Sequence, residues 1–303
     1  MNVLSLFDGM SCGQIALSRA GIAYDAYYAS EIDKHAMAVT QKNYPSTKQI
    51  GDVTKISAGD LPRIDLLLGG SPCQGFSSAG NKLNFADPRS KLFFEFIRLL
   101  SECKPKFFLF ENVMMNKEHE KAISDLFGCE PIMIDSSLVS AQSRKRLYWT
   151  NIPNITLPKQ QNIELKDIVE SGGVLRAKSQ TVLTTLFKEN AKSMVKRNKQ
   201  GLLVCPEAER GLYRMKNTRP DARNRKSKKP QVGEEIISLG NEKFLLGQQE
   251  VSFRKFTALE CERLQTVPEG YTKTASTTQR YRMLGNGWTV DVIAHILSHI
   301  PRT

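Results

Sequence analysis

Short apolar runs alternate with helical patterns along the first half of the chain. The apolar runs have the length of buried strands, and they cover residues 3–7, 26–30, 64–68, 107–110, 132–134 and 147–151. Helical spacing of apolar residues occurs between them, over residues 13–20, 34–43 and 92–103. This alternation is typical of an α/β fold, and it predicts a doubly wound, parallel sheet with helices on both faces.

The pattern changes from about residue 164 to residue 252, where the runs become short, irregular and rich in Lys, Arg, Asn and Gly. Order returns with a capping box formed by Thr257 and Glu260, and with an apolar-striped helix near the end. We therefore predict a first domain over residues 1–163 and a smaller, irregular domain over residues 164–252. A segment over residues 253–303 is expected to pack back on the first domain.

The positive charge is concentrated in one segment. The net charge is +12, and residues 176–230 hold sixteen Lys and Arg against four Asp and Glu, so they carry the whole excess. The densest part, residues 214–230, has the composition of a phosphate-contacting surface, although a solvated basic loop has the same composition. The segment therefore favours a nucleic-acid partner.

The cysteines and the apolar runs indicate where the protein acts. The six cysteines form no CxxC pair, which argues against zinc knuckles and disulfide frameworks and favours a reducing compartment. The sequence has neither a signal-peptide pattern nor a run of about 18 apolar residues. We expect a cytoplasmic protein with no membrane contact.

A cysteine follows the apolar run at residues 66–68. In LLLGGSPCQGFS, glycines end the predicted strand, and Pro72 then places Cys73 on a loop of small residues. Sites in open α/β sheets collect at the carboxyl ends of strands, whereas a structural cysteine would lie inside the apolar run. We interpret Cys73 as a reactive thiol.

Charged side chains follow two later strands of the predicted sheet. Glu111 comes directly after the run that ends at Phe110, and Arg144 and Arg146 in QSRKR follow the next candidate strand. Each of these residues alone has a structural explanation, as a helix cap, an ion pair or a surface charge. A thiol, a carboxyl and two guanidiniums at successive strand ends together predict one assembled site.

The first strand leads into FDGMSCG and then a helix, which is where a doubly wound sheet binds a ligand. The glycines fit G-x-x-x-G and not the G-x-G-x-x-G of dinucleotide enzymes, which weakens a nicotinamide interpretation. Glu31 lies where such folds bind a ribose diol. Asp52 can accept a hydrogen bond from an adenine amino group, and Val53 can cover the adenine ring. Asp33 is interpreted as a helix cap.

The motifs FDGMSCG, SEID, GDV, GSPCQGFS, ENV, QSRKR and GNGWTV together resemble those of the cytosine-5 DNA methyltransferase family, in the family's order. FDGxxxG, ASE and LFFEFIRLL further resemble the branch of the animal de novo methyltransferases. The chain has Ser11 and Cys12 where many bacterial members have glycine, and Gln74 where the de novo branch has Asn. The subfamily and the target sequence therefore stay open.

The resemblance implies a Rossmann-like class I methyltransferase sheet, with residues 164–252 as the target-recognition domain. It implies methyl transfer from S-adenosylmethionine to carbon 5 of a flipped-out cytosine in specific duplex DNA, which leaves S-adenosylhomocysteine and needs no metal. Cys73 would add to carbon 6, and Glu111, kept partly protonated by apolar neighbours, would serve ring nitrogen 3. Arg146 would hold the base, and Arg144 the base or a phosphate.

The remaining site residues follow from the same resemblance and from the basic segment. The expected cofactor contacts are Phe7, Asp8, Gly9, Met10, Glu31, Ile32, Asp52, Val53, Pro72, Leu92, Asn286 and Trp288. The expected DNA contacts are Gln74, Ser78, Lys82, Arg89, Arg214, Lys216, Arg223 and Arg225. We expect a monomer that acts on duplex DNA, with a restriction system as its partner. The resemblance also implies a bacterial or phage-infected cell, in which the protein would associate with the nucleoid through DNA.

Other functions fit parts of the pattern. A tRNA-acting branch shares the cysteine, ENV and arginine motifs, although the long basic insert favours duplex DNA. A nucleotide-linked oxidoreductase is disfavoured by the glycine spacing, and a DNA-binding accessory with a decayed site is disfavoured by the complete set of catalytic motif residues. His295 and His299 lie one helical turn apart, but no third metal ligand is evident.

Overall fold

The structure is a computed structural model, and most of the chain outside three central regions is described. The described residues are 1–71, 88–174, 176–188, 190–191, 194, 203–205, 236–240, 243–246 and 249–302.

A seven-stranded sheet forms the centre of the fold. Its strands are β1 (Asn2–Leu6), β2 (Ala26–Ser30), β3 (Lys48–Gln49), β4 (Leu66–Gly69), β5 (Phe107–Val113), β6 (Ile132–Asp135) and β7 (Lys145–Thr150). They lie in the order β3-β2-β1-β4-β5-β7-β6. The order reverses between β1 and β4, so the sheet is doubly wound, as the apolar pattern predicted.

The prediction of a wholly parallel sheet is wrong at one edge. Strands β1 to β5 are parallel, whereas β7 runs antiparallel to both β5 and β6. The connection between β6 and β7, residues 136–144, is shorter than the crossover of about a dozen residues that parallel strands need. Pairing with β7 also extends β5 to Val113, so Glu111 lies within β5 and not after it.

Eight α-helices in the described part of the chain surround the sheet. They are α1 (Cys12–Arg19), α2 (Lys34–Asn43), α3 (Pro88–Cys103), α4 (Lys117–Phe127), α5 (Leu165–Ile168), α6 (Ala258–Leu264), α7 (Thr277–Asn286) and α8 (Val290–Leu297). The Asp33 side chain caps α2, and Thr257 with Glu260 forms the capping box of α6. Both of these caps were predicted from the sequence.

The helices cover the sheet on both faces. Apolar residues of α1, α2 and α6 to α8 form one core cluster, and those of α3 and α4 form another. The second cluster includes Phe96, Phe110 and Phe127, whose rings pack within 6 Å of each other, and aromatic side chains of this size contribute strongly to burial. Two packed faces hold the carboxyl edge of the sheet in place.

The C-terminal segment returns to the first domain, as predicted. Helix α8 packs against α1, and Arg19 forms an ion pair with Asp291 at 2.6 Å. Because α8 presents its apolar side to the core, this contact brings the residues just before it to the end of β1. No helix among the described residues is long and apolar enough to cross a membrane.

The described part of the irregular region contains α5, the 3-10 helix Leu186–Lys188 and strands of two small antiparallel sheets. Strands β8 (Gly173–Val174) and β9 (Leu203–Cys205) pair with each other, and β9 also pairs with β13 (Arg254–Lys255). Strands β10 (Ile236–Gly240), β11 (Lys243–Leu246) and β12 (Gln249–Ser252) form a second sheet. The first of these sheets therefore continues past residue 252, the end predicted for the irregular domain.

Candidate active site

The turn after β1 has an unusual backbone. Phe7, Gly9 and Ser11 all have positive φ angles, of 56°, 59° and 65°. The open space beside Gly9 leaves room for a ligand, since a Cβ atom there would meet nothing within 4 Å. The Gly9 N–H donates to Oε2 of Glu31 at 2.7 Å, which fixes the turn to the end of β2.

The end of β2 fits a nucleoside. Oε1 of Glu31 accepts from the backbone N–H groups of Ile32 and Asp33, at 2.7 and 2.8 Å, so the carboxylate is held rigidly. A carboxylate oxygen has more than one acceptor site, and Glu31 can still bind ribose hydroxyls. Ile32 is 76% exposed beside it and offers an apolar surface to a ring.

Asp52, the second acidic residue predicted to bind the cofactor, also stabilises the local fold. Asp52 caps the short 3-10 helix Val53–Lys55 by accepting from the Thr54 N–H at 3.0 Å. This backbone hydrogen bond and the one from the Thr54 hydroxyl lower the pKa of Asp52. Val53 is buried beside it, where it can support one side of an adenine ring.

Asp8 is the centre of a hydrogen-bond network within the β1 turn. Its carboxylate accepts from the hydroxyls of Tyr27 and Ser11, both at 2.7 Å, and Gln14 donates to Ser11 at 2.8 Å. Burial raises the pKa of Asp8 to about 6, against the effect of these donors. The side chain of Asp8 thus holds the turn in place through hydrogen bonds to Ser11 and Tyr27.

The turn at residues 285–289, called here the C-terminal turn, lies beside the turn that follows β1. A Cβ atom on Gly287 would lie 3.1 Å from Met10 Cε and 3.3 Å from Cys12 Sγ, so this turn packs closely on the β1 turn. Asn286 is exposed and Trp288 is half-buried there. Leu92 and Phe7 pack on the opposite face of the sheet, in the cluster formed by α3 and α4.

Most of the described residues predicted to bind a cofactor lie in the turns after β1 and β2 or in the C-terminal turn. These turns are near the carboxyl ends of β1 and β4, where the strand order reverses and doubly wound sheets bind ligands, so we expect a cofactor cleft there. The fixed carboxylate of Glu31, the exposed Ile32 and the open space at Gly9 fit a nucleoside with a free ribose diol. S-adenosylmethionine has these groups.

Glu111 and Arg146 form an ion pair at the same edge of the sheet. Arg146 Nε lies 3.0 Å from Glu111 Oε1, and their side chains are 14% and 11% exposed. The apolar neighbourhood predicted for Glu111 is wrong, because the antiparallel direction of β7 places a guanidinium beside the carboxylate. The two side chains act as a unit.

Gly70 connects this pair with the segment that carries Cys73. A Cβ atom on Gly70 would lie 2.9 Å from Glu111 Oε2 and 3.1 Å from Trp288 Nε1. The carboxylate and the indole therefore approach the backbone three residues before Cys73. Only glycine leaves space for both groups.

Arg144 has a different placement from the one expected. It is 4% exposed, and its guanidinium donates to the backbone carbonyls of Gly285 and Gly287 at 3.3 and 3.1 Å. Burial, and then the nearby charge of Arg146, lowers its pKa to about 10. This placement fits a residue that supports the C-terminal turn, and not one that contacts a base or a phosphate.

Several predicted residues lie outside the described part of the chain. These are Pro72, Cys73, Gln74, Ser78, Lys82, Arg214, Lys216, Arg223 and Arg225; Arg89 lies in α3, but its side chain is outside the described part as well. Their proposed roles rest on the sequence. Within the described ranges, no group of three His, Cys, Asp or Glu residues is arranged to hold a metal ion, and His295 bonds the Thr156 carbonyl.

The sequence did not predict the buried polar residues beneath the C-terminal turn. Gln265 donates to the Leu284 carbonyl at 2.6 Å, and Thr289 donates to Gln265 at 2.9 Å. The only available signal for Gln265 was a polar residue directly after α6, which is equally typical of a surface position. The close contact between Gly285 and the backbone of Thr184 was not predicted either.

The doubly wound, seven-stranded sheet has the fold of class I methyltransferases. A profile of the C-5 cytosine-specific DNA methylase family matches residues 1–302, and the chain belongs to this family. The methyltransferase EhMeth of Entamoeba histolytica has the same fold, with a TM-score of 0.71 at 18% identity, over 99% of this chain and 97% of that one.

Curated relatives are phage and bacterial methyltransferases. The orphan methyltransferase M.SPRI of Bacillus phage SPR is 36% identical over 188 residues, which cover 57% of this chain and 43% of the phage protein. The type II methyltransferase M1.ScrFI of Lactococcus lactis subsp. cremoris is 30% identical over 286 residues, which cover 88% and 69% of the two chains. The chain spans about half the length of several curated relatives that it matches.

Proposed function

We propose that this chain transfers the methyl group of S-adenosylmethionine to carbon 5 of a cytosine flipped out of specific duplex DNA. One observation carries the proposal: the pair formed by Glu111 and Arg146 lies against Gly70, three residues before Cys73, at the edge of the sheet that holds the nucleoside cleft. Membership of the C-5 cytosine-specific DNA methylase family supports it.

Cys73 is the proposed nucleophile. Carbon 5 of cytosine belongs to an aromatic ring and is a poor nucleophile, so the ring must be activated first. The Cys73 thiolate adds to carbon 6, and the electron pair displaced from the ring moves to carbon 5, which then forms the new carbon–carbon bond. S-adenosylmethionine, when bound, supplies an electrophilic methyl group on a sulfonium sulfur.

The other cysteines with described side chains are unsuited to this role. Cys12 is buried below the β1 turn, and burial raises its pKa to about 12, so the thiol stays protonated at neutral pH. Burial raises the pKa of Cys103, Cys129 and Cys261 as well. Cys73 remains the cysteine that the sequence places on a loop at a strand end.

Glu111 serves ring nitrogen 3. Negative charge develops there when the thiolate adds, and a protonated carboxyl can neutralise it. Oε1 of Glu111 faces Arg146, so we assign Oε2, on the side of Gly70, to the base. Arg146 orients the carboxyl group and offers a donor to the cytosine carbonyl oxygen. A base, which can be water, then removes the carbon 5 proton, and the electron pair left behind re-forms the double bond between carbons 5 and 6. The bond from Cys73 to carbon 6 breaks at the same time, which restores the thiolate, and the proton on nitrogen 3 returns to Glu111.

The cleft residues bind the cofactor in this proposal. Glu31 binds the ribose hydroxyls, Asp52 accepts from the adenine amino group, and Ile32 and Val53 lie against its ring. The other proposed contacts are Phe7, Asp8, Gly9, Met10, Pro72, Leu92, Asn286 and Trp288. The product is S-adenosylhomocysteine, and no step in this chemistry requires a metal.

Residues 164–252 are proposed as the target-recognition domain. Attack from one face of the ring and methyl transfer to the other require the cytosine to leave the base stack. Arg214, Lys216, Arg223 and Arg225 would neutralise phosphates, with Gln74, Ser78, Lys82 and Arg89 on the catalytic side, so binding should weaken as salt rises. A monomeric state, a restriction partner and a cytoplasmic location stay predictions.

A parallel methylation assay tests the proposal. The full chain and the Cys73→Ser variant are incubated with radiolabelled S-adenosylmethionine and either duplex DNA or tRNA. We expect label in DNA with the unchanged chain only, while both proteins bind S-adenosylhomocysteine equally. Labelling of tRNA alone would show that the chain methylates tRNA and not DNA. Substantial activity of Cys73→Ser would exclude Cys73 as the nucleophile.

A further inference from the structure

Two buried glutamines lie beneath the C-terminal turn. Gln142 and Gln265 are both fully buried, and Gln142 Nε2 donates to Gln265 Oε1 at 3.1 Å. Buried amides are stable only where their donors and acceptors have partners, so their remaining hydrogen bonds show which segments they join.

Gln265 holds the C-terminal turn at both ends. Its Nε2 atom donates to the carbonyls of Leu284 and Gly287, at 2.6 and 3.3 Å. Its Oε1 atom accepts from the Thr289 hydroxyl at 2.9 Å, and its backbone carbonyl accepts from the Val290 N–H at 3.0 Å. The side chain of one glutamine thus fixes the turn that carries Trp288.

Gln142 joins the same cluster to the proposed recognition domain. Its Oε1 atom accepts from the Val182 N–H at 2.7 Å. Ser179 adds two backbone bonds nearby, donating to Ala141 at 2.7 Å and accepting from Ser143 at 3.0 Å. The start of the recognition domain is therefore tied to the connection between β6 and β7.

The recognition domain also touches the C-terminal turn directly. A Cβ atom on Gly285 would lie 2.4 Å from the backbone N of Thr184 and 2.7 Å from the carbonyl carbon of Leu183. The two backbones are in contact there, and any side chain on residue 285 would force them apart. This contact is independent of the glutamine bonds.

We propose that Gln142, Gln265 and Thr289 are positioning residues that hold the C-terminal turn in its cofactor-binding geometry and link this geometry to the recognition domain at Val182. The inference rests on the proposed function, because it takes Asn286 and Trp288 of that turn as cofactor contacts. Coupling between two sites is reciprocal. Cofactor binding therefore stabilises the hydrogen bond at Val182.

The physical basis is the flexibility of a turn that contains two glycines. Gly285 and Gly287 lose much conformational entropy when they are fixed, and the buried hydrogen bonds offset that loss. When one bond is removed, the turn samples other positions, and Trp288 spends less time where a nucleoside can bind. The apparent affinity for the cofactor falls in proportion to the fraction of molecules in which the turn has its binding geometry.

Thr289→Val is the most selective variant. Valine has nearly the same shape, and the change removes the bond to Gln265 together with the one accepted from Ser136 Oγ at 2.9 Å. The start of α8 is unaffected, because Thr289 makes no side-chain cap bond there. Gly285→Ala is the second variant, and it separates the turn from Thr184.

Each variant has a matched control. Thr272→Val also removes a fully buried hydroxyl that bonds two side chains, and these partners, Glu262 and Arg280, lie outside the turn. Gly59→Ala adds a methyl group where the nearest atom, Ser57 Oγ, is 3.5 Å away. Both controls test whether any loss of stability alone changes cofactor binding.

The readouts are calorimetric binding of S-adenosylhomocysteine to the full chain and hydrogen exchange at the Val182 amide. We expect Thr289→Val and Gly285→Ala each to raise the Kd for S-adenosylhomocysteine about fivefold, which corresponds to one buried hydrogen bond. Both controls should stay within about twofold. S-adenosylhomocysteine should slow exchange at Val182 in the unchanged chain and less so in Thr289→Val.

The outcomes separate this inference from the proposed function. If the unchanged chain binds S-adenosylhomocysteine and Thr289→Val binds it equally well, the inference is overturned and the proposed function stands. The same holds if Thr272→Val raises the Kd for S-adenosylhomocysteine as much as Thr289→Val does, because a general loss of stability would then explain both effects. If the unchanged chain does not bind S-adenosylhomocysteine, the proposed function fails and the inference fails with it. If Gly285→Ala does not fold, Thr289→Val alone tests the inference.

Discussion

The Nε atom of Arg146 lies 3.0 Å from Oε1 of Glu111, across the antiparallel pair of β5 and β7. Because β7 runs opposite to its neighbours, its first residues lie at the edge where the parallel strands end. A parallel strand in the same place would carry Arg146 to the far edge of the sheet. The inverted strand is therefore what brings a guanidinium to the carboxylate of Glu111.

Replacing Glu111 tests its role at ring nitrogen 3. Glu111→Gln keeps the size of the side chain but cannot deliver a proton, so kcat should fall by about 10²- to 10⁴-fold. Binding of S-adenosylhomocysteine should be unchanged, since the assigned cofactor contacts do not include Glu111. Single-turnover methylation with the two proteins measures the effect, and a kcat within about threefold of the unchanged chain would remove Glu111 from the chemistry.

Substitutions of the two arginines in QSRKR should change different quantities, stability for Arg144 and kcat for Arg146. Arg144→Met leaves the carbonyls of Gly285 and Gly287 without their donor, so the free energy of unfolding should fall by about 2 to 4 kcal/mol. Arg146→Lys loses the planar donor beside Glu111 and should lower kcat with little change in stability. Urea denaturation and methylation rates distinguish them, and equal effects of both changes on both measurements would contradict the assignment.

Gly70 should not tolerate even a methyl group. In Gly70→Ala the Cβ atom would lie 2.9 Å from Glu111 Oε2, so the carboxyl or Trp288 must move. A displacement of about 1 Å at a reacting group can lower kcat by about 100-fold. Gly59→Ala is the control, because its methyl group meets only Ser57 Oγ at 3.5 Å. Equal kcat values for the two alanine variants would show that the site is not built around Gly70.

Asp8 should make stability depend on pH. Its pKa rises from 3.8 to about 6 in the folded chain, mainly through burial, with the charge of Glu31 adding to the rise. The folded chain therefore holds a proton between about pH 4 and pH 6 that the unfolded chain has released. The resulting stabilisation is fully present below pH 4 and is lost as pH rises through 6.

Asp8→Asn removes this titration and keeps the shape of the side chain. The free energy of unfolding of the unchanged chain, relative to the variant, should fall between pH 4 and pH 7 by at most about 3 kcal/mol, less to the extent that solvent reaches the half-buried residue. Denaturation curves at several pH values measure the difference. A difference that is constant over this range would show that Asp8 has an ordinary pKa.

The apolar pattern predicted most of the sheet, because buried strands and amphipathic helices have periods that are visible in one sequence. It did not reveal that residues 145–150 run antiparallel, since strand direction depends on the length of a connection and not on apolar period. β3 was also missed, because Lys48 and Gln49 have no apolar pattern.

The sequence proposed the members of the candidate site but not the contacts that the described members make. Motif order gave Glu31, Glu111 and Arg146, and the structure brings these residues to one edge of the sheet. The partners of buried polar groups were invisible, because a glutamine such as Gln265 has the same pattern on a surface as in a core. The placement of Arg144 against two carbonyls depends on packing between segments far apart in sequence.

Covalent trapping on DNA tests the central claim most directly. Duplex DNA in which 5-fluorocytosine replaces cytosine is incubated with S-adenosylmethionine and the full chain. Fluorine at carbon 5 cannot leave as a proton does, so the enzyme should remain joined to DNA after methyl transfer. We predict a complex that survives denaturation, with the adduct on Cys73, and none with Cys73→Ser. Methylation of ordinary DNA without any such adduct would contradict the account.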